Sequence, residues 1–390
     1  MSGNNWYRLI AIQNRNRKRK GPVKLFKQTH WGEAGMEEIT IRDIAKICGV
    51  GVSTVSRAIN NHPDINPATR AQIQAVIEEY GYIPNNSARN LKRTESNTVA
   101  ILIKGITNTM FSRMIKVFDA KLKHSRLSMI IQQVGYEEDE VAVALELIKE
   151  KRLKGIIFLG ANYYHPEGEM DKISVPFVLS TVGAIADDMD YTRFSHVAVD
   201  DMRESYKATE YLIQKGHRRI AIISAEDMDS SVGKLRLQGY LAALKNYGIE
   251  ENQKLICRVS DDTEHYSMEN GYLTAQKLLE SKEAFTAVYA TSDAMAVGVY
   301  RALREAGLQI PEDISVMGFD GNEICDYVTP KLSTVEQPVE RIAEATFELL
   351  QDLIDGRSGN QTLLFEGTLV EKESVRAIEV QGGRCKVDNM

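Results

Sequence analysis

The sequence predicts an α/β chain, with a two-lobed core of doubly wound parallel sheets behind a small all-α unit. Two observations carry this. Residues 40–81 hold three short helical patterns in succession with no strand between them. From Thr98 onward, apolar β-rich runs alternate with stretches of helical period; strands apolar on both faces and separated by helices belong to parallel sheets covered on each side. Roughly 270 residues of this texture exceed what one lobe needs, so two are expected, with any ligand beyond the carboxyl ends of the strands.

Composition sets the class. The 390 residues are 43% apolar and 26% charged, as in ordinary globular chains and unlike disordered ones. No apolar run approaches the roughly 18–20 residues that cross a bilayer. The opening MSGNNWYRLIAIQNRNRKRK sets its apolar patch before the basic cluster, the reverse of a secretory signal. Cys48, Cys257, Cys325 and Cys385 share no metal-ligand spacing and read as inert thiols of a reducing compartment. A cytoplasmic protein is expected, with no metal, no cofactor and no membrane partner.

Residues 1–37 hold eight Lys/Arg against two Glu, and residues 38–97 hold seven against six, so the rest of a chain of net charge −6 is strongly acidic. A basic front on an acidic body points to an anionic partner for the front alone. The leader, residues 1–37, is expected to be a disordered basic arm adding nonspecific phosphate contacts. Its alternative is that translation begins at Met36, since Gly32-Glu33 can be encoded by a ribosome-site sequence.

The first helix starts at Thr40, with Asp43 three residues on as a capping-box partner, and carries Ile41, Ile44, Ala45 and Ile47 as its apolar stripe. Gly49 ends it. A second helix runs from about Val52 to Ile59 with Val55, Ala58 and Ile59 inward, and Asn60 and Asn61 close it. The third has Asn66 as N-cap, Pro67 in the first position, Ile73, Val76 and Ile77 as its buried face, and Gly81 past its end.

The stretch GVGVSTVSRAIN, residues 49–60, could be a phosphate-cradling glycine loop or the turn and second helix of a helix-turn-helix. The loop reading needs a preceding strand, a third small residue and an acidic residue about twenty positions on; a capped helix precedes Gly49 instead. The helix-turn-helix reading is met residue by residue: Ala45 is small where two helices cross, Gly49 permits the turn, and Val55 plugs the angle between them. Val52, Ser53, Ser56 and Arg57 are then left on the free side, where hydroxyls meet base edges or phosphates, Val52 a thymine methyl and Arg57 a guanine.

Residues 85–93, NNSARNLKR, give about two turns of helix with Leu91 as the one large apolar side chain, too short to be stable alone. Beyond them the expected strands are TVAILI (98–103), SMIIQQV (128–134), GIIFLG (155–160), FVLST (177–181), HVAVD (196–200), RIAIIS (219–224), AVYATS (287–292) and ISVMGFD (314–320). His217, after a helix end, reads as a partner of the helix dipole. No nucleophile elbow, HExxH, phosphate loop or cysteine pair is found, so no catalytic residue is assigned and the chain is not expected to be an enzyme.

ITIRDIAKICGVGVSTVSRAINN, then TR, GYIPN and SARNL, resemble the headpiece of the LacI/GalR family of bacterial transcription regulators. The resemblance continues through RLKGIIFLG, KGHRRIAIIS, LRLQGYLAAL, TSDAMAVG, IPEDISVMGFD and PKLSTVEQP and covers residues 39 to about 377. It implies a helix-turn-helix domain at 38–84, a hinge helix and linker at 85–97, and a periplasmic-binding-protein-like core at 98–377 with a tail at 378–390. The core's first lobe is expected over about 98–195 and 337–367, its second over about 196–336 and 368–377. DNA contacts are implied for Thr40, Val52, Ser53, Thr54, Ser56, Arg57, Asn60 and Tyr82, and in the hinge for Asn85, Ala88, Leu91 and Lys92, Leu91 wedging into a base step. Gly51 stands where the family usually has Ser.

The resemblance further implies that Arg236 and Asp320 project into the cleft between the lobes, that Tyr266 stacks on a sugar face, that Phe111 lies in the loop after the first strand, and that Ser292, where the family usually has Asn, also contacts effector. The expected function is a homodimeric repressor of a carbohydrate operon, released from a near-palindromic double-stranded DNA operator by a small sugar-type effector. Alternatives are a regulator using a purine-like corepressor or a phosphocarrier protein, and a sugar-binding protein without regulatory function.

Overall fold

The computed structural model describes residues 39–59, 62–82, 96–162, 165, 168–183, 194–224, 232–259 and 264–379. The chain divides into two units, Met1–Arg89 and Asn90–Met390.

The first unit contains helices α1 (Ile41–Cys48), α2 (Val52–Ile59) and α3 (Pro67–Tyr80). Thr40 and Asp43 close the capping box in both directions, Asp43 N–H donating to Thr40 Oγ1 at 3.4 Å and Thr40 N–H to Asp43 Oδ2 at 3.1 Å. Gly49 takes φ of +65°, a conformation costly for any residue with a Cβ, and so lets the chain turn into α2. Asn66 caps α3 by accepting Ala68 N–H at 2.9 Å, with Pro67 next to it. The core is Ile44, Ala45, Cys48, Val55, Ala58 and Ile73. Ile47 is not in it: Ile47 is 46% exposed, and Cys48, one residue on, takes the inward position. The helix ends at Cys48, and the three-helix contact selects Ile44, Ala45 and Cys48, four positions apart at most.

The second unit begins with β1 (Thr98–Lys104), α4 (Thr109–Leu122), β2 (Ser128–Val134), α5 (Glu140–Lys151), β3 (Gly155–Leu159), β4 (Phe177–Ser180) and β5 (Ser195–Val199). It continues with α6 (Asp201–Gln214), β6 (Ile220–Ser224), α7 (Val232–Asn246), β7 (Ile256–Arg258), α8 (Met268–Glu280), β8 (Ala287–Ala290), α9 (Asp293–Glu305), β9 (Ser315–Asp320) and β10 (Ser333–Glu336). The chain then returns through α10 (Val339–Ile354) and β11 (Thr362–Phe365) before β12 (Thr368–Val370).

Two six-stranded sheets result, in the orders β11-β5-β4-β3-β1-β2 and β12-β10-β9-β8-β6-β7. The pairings are parallel, with Val99 opposite Gly155 and Ile220 opposite Ala287, except that β12 runs antiparallel to β10. β1, β3, β6, β8 and β9 are buried along nearly their whole length, as continuous apolar runs in covered parallel sheets require. No helix among the described residues is long and apolar enough to cross a membrane.

The chain crosses between lobes at residue 200, at 337–338 and at 366–367. The first crossing falls after Val199, four residues later than the expected break at 195: His196–Val199 belongs to the first sheet, where it pairs with β4 and β11. An apolar run does not show which sheet it joins. The sequence reading also passed over β7, β10, β11 and β12; three of these are edge strands and β10 is next to an edge, and they are only three or four residues long.

Candidate nucleic-acid interface and ligand cleft

On α2, Val55 and Ala58 are fully buried while Val52, Ser53 and Arg57 are exposed. Thr54 and Ser56 are half-buried at the margin of that face. The free side therefore shows one apolar, one hydroxyl and one guanidinium group within a turn and a half, a set that can meet both phosphates and base edges. Gly51 supplies only its carbonyl to this helix start, accepting Thr54 N–H at 2.9 Å and Val55 N–H at 3.2 Å. Thr40 is exposed, but its hydroxyl is engaged with Asp43 at 2.5 Å, so the cap competes with any phosphate for it. Tyr82 is half-buried and packs on the headpiece core, its N–H bonded to Ile77 at 3.0 Å. Asn60, Asn85, Ala88, Leu91 and Lys92 lie outside the described residues.

In the second unit, four of the five expected ligand residues line one cleft at the carboxyl ends of the strands: Phe111, Arg236, Tyr266 and Asp320. Its empty space, open mouth included, is about 580 Å³. Phe111 is placed by the first turn of α4, not by a loop; the helix begins at Thr109 because Asn108 caps it, accepting Met110 N–H at 3.0 Å. At Gly160, after β3, φ is +68° and a Cβ would stand 2.5 Å from the Lys104 carbonyl and 3.0 Å from the Phe111 ring, so only glycine lets this wall close.

Arg236 projects from α7 with its Nε donating to Asp201 Oδ1 at 2.9 Å, its Nη1 3.5 Å from Asp320 Oδ1, and its guanidinium 3.8 Å over the Phe319 ring. Burial disfavours its charge, but Asp201 and Asp320 outweigh burial and hold it protonated. Burial pushes Asp201 up to about 6 despite Arg236 beside it. Asp293 is pushed up to about 7, first by burial and then by the Asp320 charge, while Thr334 and Asn322 donate to it at 2.6 and 2.7 Å.

Asp320 ends β9 at φ +121°, a region costing a non-glycine residue on the order of 1–3 kcal/mol. Gln337 Nε2 holds one of its oxygens at 2.9 Å and Asn108 Nδ2, from the other lobe, the second at 3.1 Å. A second interlobe contact sets Tyr136 against His265, ring centroids 3.6 Å apart and planes tilted by 44°.

Ser292 does not reach the cleft. It is 1% exposed and its hydroxyl caps α9, accepting Met295 N–H at 3.2 Å; a serine before a helix serves the orphan N–H groups first. His217 is not a charged dipole partner either. Burial brings it down to about 4, and its ring bridges Thr286 Oγ1 at 2.9 Å and the Arg376 carbonyl at 3.2 Å as a neutral group. The thiols of Cys48, Cys257 and Cys325 are free, and burial raises all three; Cys385 lies outside the described residues.

Sequence reasoning missed Lys104, Asn108, Tyr136 and Glu264 on the cleft. Lys104 had a legible signal: it is the one charge closing the apolar run TVAILIK, at the strand end where ligands sit.

The family of bacterial regulatory proteins, lacI family, matches residues 40–85, and the periplasmic binding protein-like domain family matches residues 209–375. The HTH-type transcriptional regulator MalR of Clostridium butyricum is 37% identical over 338 residues, 86% of this chain and 99% of that protein. The ribose operon repressor of Escherichia coli K12 is 32% identical over 313 residues, 80% of this chain and 92% of that one. Among solved structures, a transcriptional regulator CelR–cellobiose complex superimposes with a TM-score of 0.62 at 28% identity, covering 86% of this chain and 99% of that one. These relatives are DNA-binding regulators, not enzymes. The helix-turn-helix match, the two parallel-sheet lobes and identity of this extent together show that the chain belongs to the lacI family of bacterial regulatory proteins.

Proposed function

We propose that this chain is a cytoplasmic homodimeric repressor of a carbohydrate operon, released from a near-palindromic operator by a small sugar. The observation that carries the reading is the Arg236–Asp320 arrangement. A guanidinium fork and a carboxylate, both buried and prepositioned at one end of an aromatic-walled cleft, suit the paired hydroxyls of a sugar. The ribose operon repressor among the relatives and the cellobiose held by CelR support the same ligand class. Residues 38–84 form the DNA-binding domain in this reading, 85–97 the hinge and linker, and 98–377 the effector core.

Linkage supplies the mechanism. A sugar that favours one arrangement of the lobes lowers operator affinity by the same coupling energy with which operator lowers sugar affinity. Fluorescence anisotropy with inverted-repeat duplexes, with and without ribose, cellobiose and maltose, tests this. One duplex should be held with preference, one sugar should weaken that hold at least about fivefold, and Arg57→Ala should relax base preference by about 1–3 kcal/mol. A sugar that tightens the hold instead would make the chain a corepressor-type regulator.

A further inference from the structure

Lys104 ends β1 on the cleft wall with its side chain 4% exposed, and its Nζ lies 2.8 Å from Glu140 Oε2, itself 3% exposed. Glu140 is the first residue of α5, and its other oxygen accepts Asn162 N–H at 2.9 Å and binds His165 Nε2 at 2.6 Å. Burial alone would raise Glu140, but His165 and Lys104 overcome burial and hold it ionised. Lys104 Nζ also reaches the Glu138 carbonyl at 3.4 Å and stands 6.0 Å from the centre of the Tyr136 ring. An ammonium has three protons to donate. The Glu138 carbonyl accepts one of them and the Glu140 carboxylate is in ion-pair contact, while Lys104 is one of the residues that line the cleft.

The opposite wall repeats the design. Arg236 is the other cation on the cleft, and Asp201 and Asp320 balance it, while Glu264 is a further acidic residue of the lining. Each cation thus arrives with its own buried anion, and the cleft offers hydrogen-bond donors without a surplus of positive charge. An anionic ligand would meet these carboxylates at short range in a site of low dielectric, whereas hydroxyl groups can use the same donors and acceptors at no charge cost. Apolar residues in place of a buried ion pair commonly serve stability as well or better, so folding alone does not require a Lys–Glu–His chain here.

We propose that Lys104, neutralised by Glu140 and held by it in place, is the first lobe's effector-reading donor, and that this pairing restricts the effector to uncharged saccharides and excludes their phosphate esters. The inference rests on the sugar reading above and deepens it. Lys104 touches the ligand; Glu140 acts through Lys104 and is a positioning residue, with His165 behind it.

The test is titration calorimetry of the full chain with ribose, glucose and cellobiose, with ribose 5-phosphate and glucose 6-phosphate, and with inorganic phosphate. An uncharged saccharide should bind at least about tenfold more tightly than any ester. Glu140→Gln should raise affinity for inorganic phosphate or an ester about tenfold or more while binding of the uncharged sugar changes less, and Lys104→Met/Glu140→Gln should abolish that gain. Operator binding by each variant reports that it is folded. An ester that binds the natural chain as tightly as its parent sugar overturns the inference and leaves the sugar reading standing. So does a folded Glu140→Gln protein with no gain for any anion. If no saccharide in either form binds a chain that still holds operator DNA, the sugar reading falls, and this inference with it. Should Glu140→Gln fail to fold, the comparison of esters with parent sugars on the natural chain decides alone.

Discussion

Asn108 joins the two lobes through its bond to Asp320: its side-chain amide donates to Asp320 Oδ2 at 3.1 Å, while its carbonyl oxygen caps α4 through Met110 N–H at 3.0 Å. One side chain therefore couples the start of a helix in the first lobe to a strained carboxylate in the second. Asn322 Nδ2 adds a weaker tie to the same residue at 3.4 Å.

Asn108→Asp keeps an oxygen for the cap but sets a carboxylate against Asp320. Asp and Asn are equivalent caps to within a few tenths of a kcal/mol, so the helix survives and the repulsion falls on lobe closure. Small-angle scattering of the variant should show a larger radius of gyration than the natural chain, and the difference should shrink in acid, where one of the two carboxyls takes a proton. Equal scattering profiles at neutral pH would show that this bond does not hold the lobes.

Arg236→Met removes the partner of two buried carboxylates at once. Breaking a buried pair from one side costs about 3–5 kcal/mol, and Asp201, already pushed up to about 6, loses the group that opposes its burial. Urea unfolding should show a loss of that size near neutral pH. The double change Arg236→Met/Asp201→Asn should recover part of it, since the orphaned charge goes with the cation.

His217 sets a pH dependence of known sign. Its folded value, about 4, lies below its ordinary value of 6.5, so between these limits the unfolded chain binds more protons and stability falls as pH falls. The contribution is complete above about pH 6.5 and is lost as pH drops through about 4, a span of up to about 3 kcal/mol. The stability gap between the natural chain and His217→Gln, measured by urea unfolding at pH 7 and pH 4.5, should narrow in acid. A gap that stays constant would show that the imidazole is not held neutral.

Gly51→Ser offers a gain of stability. Gly51 has no left-handed φ, and a Cβ there meets nothing closer than Ser53 Oγ at 3.6 Å, so the side chain fits and its hydroxyl can cap α2. The expected stabilisation of the helix is a few tenths of a kcal/mol, visible as a small rise in the melting temperature of the headpiece transition. Operator affinity measured alongside reports whether the same hydroxyl also reaches a phosphate.

The headpiece was legible nearly to the residue, because its signals are local: Thr40 with Asp43, Gly49, Asn66 with Pro67, and Gly81 each act within four residues of chain. Ile47 shows the limit of periodicity, which identifies a helical stripe but not which margin of it the neighbouring helices cover. In the core, the strands buried on both faces were plain from β-branched runs, whereas β7, β11 and β12 were too short and too exposed to stand out. The cleft was half legible. Arg236 and Asp320 came from resemblance, but their mutual pairing joins residues 84 positions apart, and Lys104–Glu140–His165 is assembled from three separate connections. Ser292 misled because residue type at a strand end does not reveal whether a hydroxyl faces ligand or the helix that follows.

The three crossings at residues 200, 337–338 and 366–367 are too short to act as slack tethers. Short parallel links forbid the lobes to slide past each other or to drift apart, and leave them a nod and a twist about the line the links define. Gln337 stands on that line and grips Asp320, so the axle and the gripping jaw share a residue. Whatever fills the gap therefore reports its presence as an angle, and its size and the placement of its polar groups are translated into degrees of rotation.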